Sequence, residues 1–152
     1  KGLAPFLTIV GPGNIQQYQD EAKKLGIANQ ICFVGPKRGK DLVLLMNRHT
    51  IMVVPSLWRE PFGIVALEGI ACGCVVVGSK GGGLKDAIGQ CGPTFPNGDV
   101  ESLTEILFDL FSNTDKMEAY RIAAKDHLAH HTIATVADIY LKTFKSACEE
   151  GQ

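Results

Sequence analysis

The 152 residues suffice for one domain with a real core and are too few for two ordinary ones. With 45% hydrophobic residues, 20% charged residues and a formal net charge of −1, the chain is globular in composition and has no general attraction for nucleic acid or an anionic membrane. No apolar run approaches the roughly 18–20 residues that span a bilayer, and no signal peptide is visible.

The chain alternates short apolar strands with amphipathic helices. Phe6–Val10 reads as a buried strand that ends in Gly11-Pro12-Gly13, a tight turn. Ile15, Tyr18, Ala22 and Leu25 follow at helical spacing, and Gly26 closes that helix. Ile31–Val34 is the next strand, stopped by Gly35-Pro36. A helix over Asp41–Arg48 leads to strand Ile51–Val54, which Pro55-Ser56 ends.

A loop then enters a helix at about Gly63–Cys72, followed by strand Cys74–Gly78. Gly81-Gly82-Gly83 and a short helix near Leu84–Ile88 come next. Phe95-Pro96-Asn97-Gly98-Asp99 predicts a turn, with Asp99 placed to cap a helix carrying Leu103, Ile106, Leu107, Leu110 and Phe111. Two further helices complete the chain, one over Thr114–His130 and one after Thr132 carrying Val136, Ile139, Tyr140 and Phe144. Strands joined through helices imply an α/β fold, a doubly wound, Rossmann-like parallel sheet. Ligands of such sheets sit outside the carboxyl ends of the strands. The loops after Val10, Val34, Val54 and Gly78 are therefore the places to expect a site.

Three features read as plain structure. Lys37-Arg38-Gly39-Lys40 is a short basic cluster best explained as a solvated loop. His127 and His131, four apart on a helix, could share a metal ion, but no third ligand or carboxylate pattern joins them, so surface or capping roles are expected. The five cysteines, Cys32, Cys72, Cys74, Cys91 and Cys148, are odd in number and scattered. Cys32, Cys72 and Cys74 sit in apolar stretches as small hydrophobes, and Cys72-Gly-Cys74 lacks zinc-site spacing. A reduced, cytoplasmic protein is expected.

The chemistry concentrates in Glu60-Pro-Phe-Gly-Ile-Val-Ala-Leu-Glu68. Gly63 and Ile64 lie at a helix start, whose first backbone N–H groups have no intrahelical partner. Those donors and the helix dipole make an anion site suited to a pyrophosphate, which a glycine lets approach closely. Glu68 lies one turn after Ile64 on the same face. A carboxylate only accepts hydrogen bonds, and its two oxygens match neighbouring ribose hydroxyls. Placed in an otherwise apolar helix, Glu68 reads as a buried acid in need of a partner. Glu60 precedes the helix and would project past the phosphates.

These residues, followed by Gly73-Cys-Val-Val-Val-Gly78 and Gly81-Gly82, make the chain resemble the retaining family 4 glycosyltransferases, relatives of sucrose synthase and of bacterial lipopolysaccharide and mannosyl transferases. Leu7-Thr-Ile-Val-Gly11-Pro-Gly13, Ile31-Cys-Phe-Val-Gly35, Val54-Pro55-Ser56, Gly92 and Pro96-Asn-Gly-Asp99 extend the resemblance over nearly the whole chain. It implies one half of a GT-B enzyme: a single C-terminal, nucleotide-sugar-binding domain over residues 1–152. By the same resemblance Glu60 lies beside the donor sugar as the catalytic carboxylate, and the amides of Phe62, Gly63 and Ile64 contact sugar hydroxyls and phosphate. Glu68 holds the ribose, Gly11 and Gly13 border the phosphates, and Val34 and Gly35 lie near the base. The expected partners are a nucleotide sugar and an N-terminal acceptor domain of the same parent chain, and any peripheral association with the inner face of a membrane would run through that half. No metal or cofactor is called for.

The family's donor domain opens with a strand followed by an arginine and a lysine that neutralise the pyrophosphate. Lys1 is too close to the first visible strand to be that lysine, and Arg59 and Lys80 flank the motif without being the pair. The chain therefore reads as lacking that first strand and the acceptor domain, and as binding donor without transferring it alone. Two alternatives are a non-catalytic sugar- or nucleotide-binding module and the NAD-binding half of a dehydrogenase. Against the latter, Gln16 occupies the third fingerprint position and no acid ends the strand Ile31-Cys-Phe-Val34.

Overall fold

The computed structural model describes residues 3–150, so Lys1 lies outside the described residues. The chain divides into two compact units, the first ending at Leu45 and the second starting at Met46.

In the first unit, β1 (Leu7–Val10) and β2 (Ile31–Gly35) pair in parallel from Leu7↔Ile31 to Ile9↔Phe33, after which the register slips so that Val10 meets Gly35. The crossover between them is α1 (Ile15–Lys24) and a single 3-10 turn, Ala28–Gln30. Asn14 caps α1 by accepting from the Gln17 N–H at 3.3 Å, Lys23 and Lys24 face the negative helix end, and Gly26 turns the chain at φ +71°. α2 (Gly39–Met46) follows, taking in Lys40 of the basic cluster. Lys37, Arg38 and Lys40 are exposed, as expected of a solvated segment.

The expectation of a buried first strand is corrected. Leu7, Ile9 and Val10 of β1 are all exposed, and Phe6 is 75% exposed. Among the described residues β1 pairs with β2 alone, so an apolar sequence of parallel-sheet type stands here at a sheet edge. Cys32, expected as a packed small hydrophobe, is likewise exposed.

The second unit holds a three-stranded parallel sheet in the order β3 (Ile51–Val54), β4 (Val75–Ser79), β5 (Thr94–Phe95). The described strands thus form two parallel sheets. β5 was read from sequence as part of a turn. At two residues between Pro93 and Pro96 it offers no periodicity, yet it pairs Gly78↔Thr94 and Ser79↔Phe95.

β4 is buried throughout, and its alternation supplies two cores. Val76 points into a cluster with Val54, Ala66, Ile70, Leu84, Ala87, Ile88 and Cys91, built by α3 (Ile64–Ala71) and α4 (Leu84–Ile88). Val75 and Val77 point the other way, onto Phe95 and onto Leu110 of α5 (Val100–Ser112). Helices cover both faces, which is what an apolar parallel strand requires. Cys74 and Cys91 are buried here, and burial raises both thiol pKa values.

Asp99 caps α5 as expected, accepting from the Ser102 N–H at 2.9 Å and the Ser102 hydroxyl at 2.7 Å. Those two bonds hold its pKa below the ordinary carboxylate value.

α6 (Thr114–Ala129) packs on α3, with Ala123, Ala124 and Leu128 against the first core. His127 and His131 prove structural. The His127 Nε2 bonds the Ala87 carbonyl at 2.8 Å and the His131 Nδ1 bonds the His127 carbonyl at 2.9 Å, with the two rings 4.6 Å apart. Among the described residues no three His, Cys, Asp or Glu side chains are grouped to hold a metal ion. α7 (Ile133–Glu150) leaves Ile139, Tyr140 and Phe144 exposed. Among the described residues no helix is long and apolar enough to cross a membrane.

Candidate functional site

In the second unit, the carboxyl ends of β3, β4 and β5 each open into a loop, and these loops surround the start of α3. Val54 leads to Pro55-Ser56 and on to Glu60, Ser79 leads to Gly81-Gly82-Gly83, and Phe95 leads to Pro96–Asp99. Gly63 is the N-cap of α3 and adopts the left-handed conformation, φ +94° and ψ 56°. No side chain caps the helix there. A Cβ at Gly63 would stand 2.6 Å from Leu84 Cδ1, which is fully buried. The position therefore needs glycine for both conformation and space.

Glu60 is half-buried and fixed from three directions. Its Oε1 accepts a hydrogen bond from the Ser56 hydroxyl at 2.7 Å. Its backbone forms an isolated parallel bridge with Gly82, and its carbonyl accepts from the Gly83 N–H at 2.8 Å. A side chain on Gly82 would overlap the Glu60 carbonyl, and one on Gly83 would overlap that of Pro61. The triple glycine thus lets one loop press against the backbone of the other.

Phe62 packs its side chain against the first core and lies 5.7 Å from the His131 ring, so its ring anchors the approach to the helix. Glu68 departs from expectation. It is exposed, as is Ile64, so the two share the open face of α3, while Ala66, Gly69 and Ile70 take the buried face. The apolar character of Ile64 suggested a helix buried all round, and Ile64 is instead 67% exposed. The Glu68 side chain therefore lies open to solvent on that face. Arg59 and Lys80 are exposed beside the same loops.

In the first unit, a small concavity of about 50 Å³ is lined by Val10, Gly11, Pro12, Gly13, Phe33 and Gly35 among others. The Gly11 N–H donates to the Gly35 carbonyl at 3.1 Å, tying the two strand-end turns together. Gly11, Gly13 and Gly35 all have positive φ, and nothing lies within 4 Å of where their side chains would be. Val34 lies within β2, half-buried.

Sequence reasoning passed over Asn97. Its Oδ1 accepts from the Gly81 N–H at 2.9 Å, and its Nδ2 lies 3.0, 3.4 and 3.2 Å from the carbonyls of Ser56, Leu57 and Trp58. A side-chain amide in a Pro-Asn-Gly-Asp turn signals only turn chemistry. Its carbonyl partners lie some 40 positions upstream and Gly81 lies 16 upstream, where no local pattern reaches.

The chain as a whole is similar to known proteins. Residues 4–127 match the family model described as glycosyl transferases group 1. The D-inositol 3-phosphate glycosyltransferase of Stackebrandtia nassauensis is 32% identical, over 97% of this chain and 35% of its own length. The glycogen synthase of Mycobacterium tuberculosis is 34% identical, over 89% of this chain and 34% of its own. This chain thus spans about a third of the length of these curated relatives. Anabaena Alr3699/HepE, solved in complex with UDP, superposes with a TM-score of 0.82 at 23% identity, over 93% of this chain and 41% of that one. WaaG, a glycosyltransferase involved in lipopolysaccharide biosynthesis, gives a TM-score of 0.68 at 24% identity, over 79% and 34%. The fold is the Rossmann-like α/β fold of GT-B glycosyltransferases. By sequence, over most of its length, the chain belongs to the group 1 glycosyl transferases.

Proposed function

We propose that this chain is the nucleotide-sugar-binding domain of a retaining, family 4 glycosyltransferase, whose acceptor is held by another domain of the same protein. The observation that carries the reading is the start of α3, where a left-handed glycine opens an uncapped helix between a fixed Glu60 and a solvated Glu68. A helix N-terminus attracts the diphosphate, and it holds the leaving group's growing charge without reorganising. The amides of Phe62, Gly63 and Ile64 are the donors to phosphate and sugar oxygens. Glu68 accepts from two ribose hydroxyls. Glu60 faces the hexose, where its carboxylate steadies positive charge growing at the anomeric carbon. In the first unit, the concavity beside Gly11, Gly13 and Gly35 offers bare backbone to a phosphate or a base edge.

Support for a nucleotide sugar comes from the family match and from Alr3699/HepE, which was solved with UDP. The reading requires no resident metal or cofactor. A cytoplasmic setting fits the five cysteines, all of them free. The 152-residue chain by itself binds donor without transferring it.

Calorimetric titration of this chain with UDP, GDP, ADP, their sugar conjugates and NAD tests the reading. One nucleoside diphosphate is expected to bind more tightly than NAD. Glu68→Gln is expected to weaken that binding about ten- to a hundredfold, the worth of a hydrogen bond to a charged group. Tighter binding of NAD than of every nucleoside diphosphate, or an unchanged affinity in Glu68→Gln, overturns it.

A further inference from the structure

We infer that Asn97 is a positioning residue for Glu60, holding together the two loop segments between which that carboxylate is fixed. The inference rests on the role proposed for Glu60 and adds a residue that the motif around Glu60 does not contain. Glu60 is held on one side by the Ser56 hydroxyl, at 2.7 Å, and on the other by Gly82 and Gly83, the latter donating at 2.8 Å. Asn97 touches both sides. Its Nδ2 donates to the Ser56 carbonyl at 3.0 Å and to that of Trp58 at 3.2 Å, and its Oδ1 accepts from the Gly81 N–H at 2.9 Å.

One carboxamide thus spans loops that follow three different strands. Carbonyls gathered at one end and an N–H at the other identify which end of the amide is nitrogen. The fit is close, since a Cβ on Gly81 would stand 2.6 Å from the Asn97 oxygen. The turn that presents Asn97 is itself fixed. The Lys80 N–H donates to the Phe95 carbonyl at 2.8 Å, and the Asp99 N–H donates to that of Pro96 at 3.0 Å.

Asn97 is exposed, so it contributes little to the core. These three bonds instead set where the 56–58 and 81–83 segments meet, and with them the orientation of the Glu60 carboxylate. A carboxylate that must face one atom of a bound sugar loses about a hundredfold in rate when misplaced by about 1 Å. The diphosphate and ribose contacts proposed for α3 do not pass through Asn97.

The test compares Asn97→Ala, Asn97→Asp and Glu60→Gln in the complete protein that carries this chain, assayed for turnover of UDP-, GDP- and ADP-sugars. Asn97→Ala is expected to lower kcat about ten- to a hundredfold, with the donor KM and the thermal midpoint close to those of the unaltered protein. Asn97→Asp keeps the acceptor for Gly81 but turns a carboxylate oxygen, which only accepts, onto the carbonyls of Ser56 and Trp58, so its kcat is expected to fall at least as far as that of Asn97→Ala. In amide exchange, the Gly83 N–H, which bonds Glu60 and not Asn97, exchanges faster in Asn97→Ala. Normal turnover in Asn97→Ala, beside a defective Glu60→Gln, overturns the positioning role and leaves the functional reading standing. A loss carried wholly by KM or by stability overturns it too. A protein that turns over none of the donors overturns the functional reading and this inference with it.

Discussion

Glu60→Gln in the complete enzyme is expected to lower kcat about a hundred- to a thousandfold, the range for removing one preorganised electrostatic group. The donor KM should change by no more than about threefold. Glutamine retains the Oε1 that accepts from Ser56 and does not touch the backbone bonds to Gly82 and Gly83. The substitution therefore removes charge and preserves geometry. A charge that acts on the growing positive centre matters more in the transition state than in the bound donor, so the loss falls on turnover. Steady-state kinetics against varied donor decide the matter. A raised KM with unchanged kcat would assign Glu60 to binding alone.

Gly92→Ala is expected to be the most damaging small substitution for the second unit. A methyl group there would overlap the Val76 carbonyl oxygen and crowd the Val76 backbone, and Val76 is fully buried in the central strand. Relief requires moving a strand paired on both sides, since β4 lies between β3 and β5. Overpacking against backbone cannot be absorbed by a rotamer change, and a cost of about 3 kcal/mol or more follows. For a chain of this size that is a fall of roughly 6–12 °C in thermal midpoint, readable by calorimetry. An unchanged midpoint would mean that Gly92 does not lie against β4.

What the sequence made legible was local. Gly63 at a helix start, Asp99 as an N-cap and Glu68 one turn after Ile64 depend on neighbours within a few positions, and the structure has each of them there. The strand–helix alternation was legible for the same reason. Burial was less so, because it depends on what a residue meets across space. Ile64 and β1 are apolar and exposed, so the helix of Glu68 is open on the face read as closed. β5 was too short to show a period, and its pairing with β4 comes from the sheet rather than from its own residues. Asn97 bonds the 56–58 segment beside Glu60 across some 40 positions of sequence, where no local pattern reaches, whereas the Ser56–Glu60 bond spans only four.

The most direct measurement is an amide map of this chain by nuclear magnetic resonance, titrated with UDP, GDP, ADP and NAD. The account predicts that the tightest-binding of the three diphosphates shifts the amides of Phe62, Gly63 and Ile64 and the first turn of α3 most strongly, and that Glu68→Gln diminishes those shifts at equal ligand concentration. Shifts that leave the start of α3 untouched with all three diphosphates, or a stronger response there to NAD than to any of them, would contradict it.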